Sequence, residues 1–177
     1  MNFDRNHRFI GIDFEYDVRP GEPPIPICMV AKDFTRGGCY EVFFENGAPE
    51  PPCPLELDAS TILVAHNLSA EIACFDVLGW PMPERGLCTF AEYRRFTNGT
   101  GRRARLLDAC SHFRIPFVED TYKVEMQGLA LRGGPYTRLE RKALMQYCAT
   151  DVLALEPLLR RLEPFGSGWE IRGRFML

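Results

Sequence analysis

Four acidic side chains, set far apart along the sequence, could together carry out metal-dependent chemistry. They are Asp13, Glu15, Glu71 and Asp151. Carboxylate oxygens are the hard ligands that Mg²⁺ and Mn²⁺ bind well, and a pair of such ions can promote cleavage of a phosphodiester bond. None of the four is informative alone, so the elements that carry them must bring their oxygens to one place.

The first two acids lie on a predicted strand. Arg8 to Asp13 is a short apolar run, and Glu15 comes two residues after Asp13. On a strand, residues two apart point to the same face, while Phe14 between them points to the other. We therefore expect both acids where a buried strand reaches the edge of a sheet. Taken alone, Asp-x-Glu is frequent by chance and favours a strand that ends in solvated acids.

Each of the other two acids follows a polar residue at a spacing of four, which puts the pair on one face of a helix. Asn67 and Glu71 come just after a strand candidate, where they could also serve as a helix cap and as a charge favoured by the helix dipole. Tyr147 and Asp151 lie in an otherwise apolar helical segment. A partly buried carboxylate there is costly unless bound cations compensate its charge.

Taken together, these segments resemble a known enzyme family. Their order is Asp-x-Glu on the first strand, Asn-x3-acid after a later strand and Tyr-x3-Asp on a late helix. This order resembles the DnaQ-like (DEDDy) 3′–5′ exonucleases of the ribonuclease H-like superfamily, in the branch that includes ribonuclease D and the proofreading domains of family A DNA polymerases. The similarity runs from about Phe9 to Leu162, and Leu87 to Tyr147 looks most like the phage-type polymerases.

The resemblance implies a fold and an activity. The fold would be α/β and ribonuclease H-like, with a central mixed five-stranded sheet flanked by helices. The activity would be that of a metal-dependent 3′–5′ exonuclease, which hydrolyses single-stranded DNA 3′ ends, releases nucleoside 5′-monophosphates and serves in proofreading.

The resemblance also assigns roles to individual residues. The four acids would hold two divalent cations, Mg²⁺ or Mn²⁺, and would be catalytic together with Tyr147. That tyrosine would orient the attacking water with Glu15. Substrate contacts would come from Asn67, which places the strand, and from two apolar residues that meet the terminal bases, Phe14 and Leu68.

Glu71 departs from the family pattern, which usually has Asp at this position. Its extra methylene means that the carboxylate must fold back to reach the same metal. Two alternatives stay open. The chain could trim RNA 3′ ends like ribonuclease D, because carboxylates grip the phosphodiester rather than the sugar. It could also be a degenerate, non-catalytic domain that binds nucleic acid.

The composition is that of a single globular domain, residues 1–177, with 46% hydrophobic and 25% charged residues. We find neither an apolar stretch of membrane-spanning length nor a secretory signal, so no membrane partner is expected. Seven scattered cysteines without a Cys-x-x-Cys pair predict reduced thiols in a cytoplasmic protein, with Cys148 in the core. The ending from Arg172 to Leu177 would fit continuation into a longer chain, with a fused or associated DNA polymerase as partner.

Charge is distributed unevenly along the chain. Residues 1–93 hold 6 basic and 15 acidic side chains, whereas residues 94–142 hold 11 and 5. The acidic part contains the candidate metal ligands, whose charge bound cations would offset. Nucleic acid is therefore a credible partner despite a pI near 5.7, and basic residues of 94–142 are expected to hold its phosphates.

The apolar pattern predicts strands first and helices afterwards, which favours a mixed sheet covered by helices. The predicted strands are Arg8–Asp13, Ile25–Ala31, Cys39–Phe44, Thr61–Ala65 and a short fifth, Gly86–Thr89. The predicted helices are Ala70–Leu78, Arg103–Phe113, Val124–Arg132, one from Thr137 through Tyr147, and a final one from Val152 to Leu162. Thr137 and Glu140 have the spacing of a capping box. We expect His66 to form structural hydrogen bonds.

Overall fold

A computed structural model of the protein describes residues 7–44, 49–98, 100, 103–117 and 120–162. The ending from Arg172 to Leu177 lies outside the described residues. Five strands come first along the chain, with one helix between the fourth and the fifth: β1 Arg8–Asp17, β2 Ile25–Asp33, β3 Cys39–Phe43, β4 Thr61–Ala65, α1 Leu68–Val77 and β5 Gly86–Cys88. Four helices follow: α2 Thr89–Phe96, α3 Leu106–His112, α4 Asp120–Arg132 and α5 Arg138–Leu162.

The five strands form one mixed sheet in the order β3-β2-β1-β4-β5. The central strand β1 runs antiparallel to β2 and parallel to β4, and β5 continues the parallel half. Because β4 is connected to β5 through α1, the parallel pair has the crossover helix that such pairs require. The predicted α/β architecture, a mixed five-stranded sheet flanked by helices, is confirmed.

Strand alternation divides the core between two faces of the sheet. Even-numbered β1 residues such as Ile12 and Phe14 pack with Phe75 and Trp80, on the side of α1. Phe9, at an odd-numbered position, packs with Leu159 of α5 on the other side. Asp13 and Glu15 are also odd-numbered, so both carboxylates point toward α5.

Close packing explains Gly11 on the same face. A Cβ atom at this position would clash with Cζ of the Phe34 ring. The Phe34 ring therefore lies over the β1 backbone where a side chain would otherwise stand. Gly11 belongs to the packing of the sheet, next to the acidic residues that follow it.

Two elements differ from the sequence prediction at the late end of the chain. The two helices expected on either side of Tyr147 are one continuous helix, α5, because nothing between Tyr147 and Val152 interrupts helical hydrogen bonding. Helix α2 was not predicted, since it begins directly after the short strand β5 without a proline, glycine or side-chain cap to mark it.

The start of α5 is the predicted capping box. The backbone N–H of Thr137 donates to Oε2 of Glu140 at 2.7 Å, and the backbone N–H of Glu140 donates to the Thr137 hydroxyl at 3.3 Å. Within the described part of the chain, none of the helices has the combined length and apolar character needed to cross a membrane.

Candidate active site

The acidic residues meet where the parallel half of the sheet stops. β4 pairs with β1 only as far as Gly11, whereas β2 stays paired with β1 to Asp17. The chain leaves β4 there and turns into α1, so Asp13 and Glu15 lie beside the first turn of that helix. The two acids are thus inside a long strand, not at its end as the sequence suggested, and they follow the last residue paired with β4.

Three buried carboxylate oxygens of this region have no hydrogen-bond partner. They are Oδ2 of Asp13, Oε2 of Glu71 and Oδ1 of Asp151. The residues come from β1, α1 and α5, and all three line one cavity of about 620 Å³. Buried polar atoms are almost always satisfied, so three unpaired acceptors on one cavity form a set of donors that suits a bound cation.

The electrostatics of the cluster support the same conclusion. Burial, and after it the charge of Asp151, raises the pKa of Asp13 well above its usual range. Burial and the charge of Asp13 raise the pKa of Glu15 to about 10 and also raise the pKa of Glu71. Several carboxylates so close together cannot all ionise unless positive charge is supplied. Divalent cations bound by oxygen ligands fit this requirement.

Glu71 extends from α1 to the cluster and to the backbone of β1. It belongs to the first turn of α1 and is only 4% exposed. The backbone N–H of Phe14 donates to its carboxylate, and the charge of Asp13 acts on its pKa. The longer side chain is therefore accommodated at this position.

Tyr147 and Lys123 lie against Asp151. The Lys123 Nζ is 3.4 Å from Oδ2 of Asp151 and 5.6 Å from the centroid of the Tyr147 ring. Burial, followed by the charge of Asp151, raises the pKa of the Tyr147 phenol, which therefore stays protonated and can donate a hydrogen bond. Lys123 partly offsets the effect of burial on the pKa of Asp151, which remains raised.

The three predicted substrate contacts lie in different environments. Asn67 is exposed and lines the cavity; its side chain does not cap α1 but accepts a hydrogen bond from Ser69 Oγ at 3.2 Å. Phe14 is 3% exposed and Leu68 is 4% exposed, both within the α1-side core. Both side chains belong to the core, although Phe14 also lines the cavity, and the contact of either one with terminal bases stays a prediction. The backbone N–H of Phe14 donates to the Glu71 carboxylate.

His66 is structural, as its sequence context suggested. Its Nε2 donates to the carbonyl oxygen of Ala104 at 2.8 Å, and its Nδ1 lies 3.0 Å from the Thr89 hydroxyl. Burial lowers the pKa of His66 to about 4, so the ring is neutral at physiological pH. The histidine thus ties the end of β4 to the start of α2 and to the segment before α3.

Four further residues of this region were not identified from the sequence. Lys123, Arg105 and the 40% exposed ring of Phe90 line the cavity, and Cys148 lies beside the carboxylates. The basic stretch 94–142 pointed to Lys123 and Arg105 in general terms only. A helical reading of Thr89–Phe96 would have placed Phe90 at the start of a helix that follows β5.

The chain matches no protein-family model and no curated protein. Solved structures do match. One is Brucella melitensis NrnC with bound Mg²⁺, at 19% identity and a TM-score of 0.64 over 88% of this chain and 71% of that one. Another is the same protein bound to pGG, at 19% identity and a TM-score of 0.65 over the same shares. The chain has a ribonuclease H-like fold.

A third match agrees with this fold. It is an apo form of a nuclease, at 18% identity and a TM-score of 0.64, over 89% of this chain and 72% of that one. At such identities the likeness establishes the architecture, and the roles of individual side chains rest on the geometry of this chain.

Glu71→Asp tests whether the metal site requires the length of a glutamate side chain at this position. We expect the shorter side chain to lose the hydrogen bond from Phe14 N–H. Its unpartnered carboxylate oxygen should then lie farther from Asp13. The affinity for Mn²⁺ should fall by about tenfold, the range found when groups that orient metal ligands are removed. Calorimetric titration with Mn²⁺ measures this directly.

The control for that variant is Asp76→Asn, an exposed acidic residue of the same helix. It should bind Mn²⁺ like the parent protein. Equal or tighter binding by Glu71→Asp would show that the longer side chain is not needed at this position.

Proposed function

We propose that the protein is a divalent-metal-dependent 3′–5′ exonuclease that releases nucleoside 5′-monophosphates from the 3′ ends of RNA. The observation that carries the proposal is the set of three unpartnered, buried carboxylate oxygens from Asp13, Glu71 and Asp151 on one cavity. Such a set is suited to holding two hard cations against a phosphodiester group. The 3′–5′ direction and the form of the product come from the resemblance of the sequence motifs.

RNA is favoured over DNA by the comparison with NrnC. One of its structures is bound to pGG, and its fold matches 88% of this chain. The sequence motifs alone favoured proofreading of DNA. The carboxylates bind the phosphodiester and not the sugar, so they do not distinguish RNA from DNA, and our preference for the RNA alternative rests on the comparison with NrnC. A DNA polymerase as partner belongs to the DNA interpretation and stays a prediction.

The donor set fits two Mg²⁺ or Mn²⁺ ions. Asp13 and Glu15 of β1, with Glu71 and Asp151, would hold them, because hard cations take carboxylate oxygens in preference to other side-chain groups. When bound, such ions acidify a water and stabilise negative charge on the leaving 3′-oxygen.

The remaining side chains of the cavity can orient a water molecule and contact the nucleotide. The protonated Tyr147 phenol can donate a hydrogen bond to a water in the cavity, and Glu15 can accept one. The cavity of about 620 Å³ has the size of a small-ligand site. Phe90 presents a partly exposed ring on its wall for stacking of a base. The Arg105 guanidinium, which is paired with Asp108 at 3.0 Å, also lines the cavity and would have to exchange this partner to bind a phosphate.

The direct test compares RNA and DNA strands of one sequence. Each carries a label at the 5′ end, and each is incubated with Mg²⁺ or Mn²⁺. We expect a ladder of 5′-labelled products shortened one nucleotide at a time, with RNA degraded faster than DNA. Faster degradation of DNA would restore the proofreading interpretation, and loss of a 5′-terminal nucleotide first would overturn the direction.

A non-catalytic domain is the remaining alternative. It predicts no nucleotide release even when Mn²⁺ is bound. Calorimetry with Mn²⁺ beside the activity assay separates the cases: saturable binding with release supports the exonuclease, and saturable binding without release supports a domain that only binds.

Lys123→Met tests whether the Lys123 ammonium group acts as the counter-ion of Asp151. The ammonium group neutralises Asp151 in the metal-free protein and so competes with a metal ion for it. Its loss should tighten Mn²⁺ binding by about fivefold, the equivalent of roughly 1 kcal/mol for one partly buried ion pair. Calorimetry measures the affinity.

The matched control is Lys142→Met, an exposed lysine of α5. It removes the same charge from the protein without touching the cluster, and Mn²⁺ affinity should stay at the parent value. If Lys123→Met leaves Mn²⁺ binding unchanged or weakens it, the lysine does not act as the counter-ion of Asp151.

A further inference from the structure

A fully buried thiol lies in contact with the carboxylate cluster. The Cys148 Sγ, one carboxylate oxygen of Asp13 and one of Glu15 all lie within 4.8 Å of one another. The thiol also donates to the backbone carbonyl oxygen of Asp13 at 3.1 Å. Helix α5 thus brings a sulfur atom, one residue after Tyr147, behind the two acids of β1.

This ligand set has a different metal preference from an oxygen-only set. Carboxylate oxygens suit Mg²⁺ and Mn²⁺, whereas a thiolate beside them favours Zn²⁺ and Cd²⁺. Sulfur and oxygen ligands of one Zn²⁺ stand at about 2.3 Å and about 2.0–2.2 Å from the ion. Atoms within 4.8 Å of one another therefore need only small side-chain rotations to share it.

Neighbouring groups support a cation at this place. Glu71 and Asp151, 4% and 7% exposed, each direct an unpartnered buried oxygen into the same cluster. A second thiol, Cys28, is hydrogen-bonded to Cys148 and lies opposite Glu15 in the β1–β2 register. The region therefore combines buried carboxylate oxygens that lack a partner with soft sulfur donors.

We propose that Asp13, Glu15 and Cys148 form a binding site for a thiophilic divalent cation of the Zn²⁺ and Cd²⁺ class. The metal–sulfur bond forms as the thiol releases its proton to the buffer, and no electron is transferred. The site takes the cation in the metal-free protein and does not require nucleic acid.

The site has a consequence for activity that rests on the proposed function. A Zn²⁺ ion held by Cys148 occupies Asp13 and Glu15, which the hydrolytic ions also need. Zn²⁺ therefore inhibits Mg²⁺-dependent nucleotide release by competition. Because of the thiol, the exonuclease activity depends on the ratio of Zn²⁺ to Mg²⁺ in the surroundings. A site with oxygen ligands alone would show this dependence less strongly.

The test measures metal selectivity instead of activity. Reduced parent protein and Cys148→Ser are titrated with Cd²⁺, which gives an ultraviolet thiolate-to-cadmium absorption, and separately with Mn²⁺. We expect the ratio of Cd²⁺ to Mn²⁺ affinity to fall at least about tenfold in Cys148→Ser, a typical effect for loss of one metal-supporting group. The ratio cancels any general weakening of the fold.

Cys110→Ser is the matched control, because Cys110 is also a fully buried helical thiol but belongs to no such ligand group among the described residues. Its ratio should equal that of the parent. An unchanged ratio in Cys148→Ser, or an equal loss in Cys110→Ser, would overturn the proposal.

A second measurement uses the parent protein and therefore does not require any variant to fold. X-ray absorption of the parent protein loaded with one equivalent of Zn²⁺ should show a sulfur ligand at about 2.3 Å, and Cd²⁺ should displace that zinc more readily than Mn²⁺ does. Coordination by oxygen and nitrogen alone would overturn the assignment.

The two proposals can fail separately. A protein that selects Cd²⁺ through Cys148 but releases no nucleotide overturns the exonuclease and leaves this site standing. If the protein is a Mg²⁺-dependent exonuclease but its Cd²⁺ affinity is the same with and without Cys148, the exonuclease proposal stands and the thiophilic site is overturned.

Discussion

Replacing Asp13 by asparagine is expected to reduce nucleotide release by at least about 10³-fold, the scale on which loss of one essential electrostatic group lowers turnover. Asp13 lies at the centre of the cluster, since its charge acts on the pKa of both Glu15 and Glu71 and one of its own oxygens is buried without a partner. An amide is a poorer ligand for hard cations. Release of 5′-monophosphates from labelled RNA at saturating Mg²⁺ measures the effect.

Loss of activity in this variant should not come from loss of the fold. The raised pKa of Asp13 keeps its carboxyl group largely protonated in the metal-free protein. Asparagine replaces it with a neutral group of similar shape, so the metal-free variant should melt no lower than the parent. Asp76→Asn, an exposed change of the same type on α1, should keep full activity. An Asp13→Asn protein that melts normally and still degrades RNA at the parent rate would exclude the carboxylate cluster as the catalytic centre.

The second large effect expected is stabilisation by divalent cations. A ligand that binds only the folded state, at a concentration about 100 times its Kd, adds about 2.7 kcal/mol to the free energy of unfolding. For a chain of 177 residues this corresponds to a rise of about 5–11 °C in Tm. Thermal unfolding with Mg²⁺ against EDTA, at equal ionic strength, measures the shift.

The thermal stability of the metal-free protein should depend on pH in a defined direction. Asp13, Glu15, Glu71 and Asp151 have raised pKa values in the folded protein, so the folded state holds protons that the unfolded state releases. Their contribution is fully present below the unfolded pKa of about 4 and is lost as pH rises toward the folded values. Metal-free protein should therefore melt at a lower temperature as pH increases.

The window from about pH 6.5 to about pH 8 is the most informative for these carboxylates. His66 acts in the opposite direction because its pKa is lowered in the folded protein, but this contribution fades above its unfolded pKa of about 6.5, and most thiols of the unfolded chain stay protonated below about 8.5. In EDTA the Tm should fall across this window, and with Mg²⁺ the fall should be smaller, because cations replace the protons. A metal-free Tm that rises with pH, or a Mg²⁺ shift that survives in Asp13→Asn, would contradict this account.

The strand and helix order of the fold followed from local patterns. Apolar runs predicted all five strands, and the spacing of Thr137 and Glu140 predicted the start of α5. These features depend on neighbours in the chain, which is why the sequence reveals them. The two-residue spacing on β1 and the four-residue spacing on α5 likewise fix which face each acid takes, because the periods of strand and helix are set by backbone geometry.

Contacts between distant segments could be known only from the folded protein. The contact of Glu71 with Phe14 N–H depends on how far α1 lies from β1, a distance that no local pattern contains. The burial of the Phe14 ring and of Leu68 depends on the aromatic side chains that pack around them. The exposed wall position of Phe90 depends on α2, which has no local start signal.

What the sequence by itself determined is which residues carry the chemistry and on which face of its own element each one stands. The tertiary structure decided what surrounds them: that the carboxylates of Asp13, Glu71 and Asp151 share one cavity, that Lys123 neutralises one of them and that Cys148 places sulfur against two others. The physical reason is range. Side-chain direction is fixed by torsions over a few residues, whereas burial, charge coupling and metal preference are set by atoms that the fold brings from more than a hundred positions away.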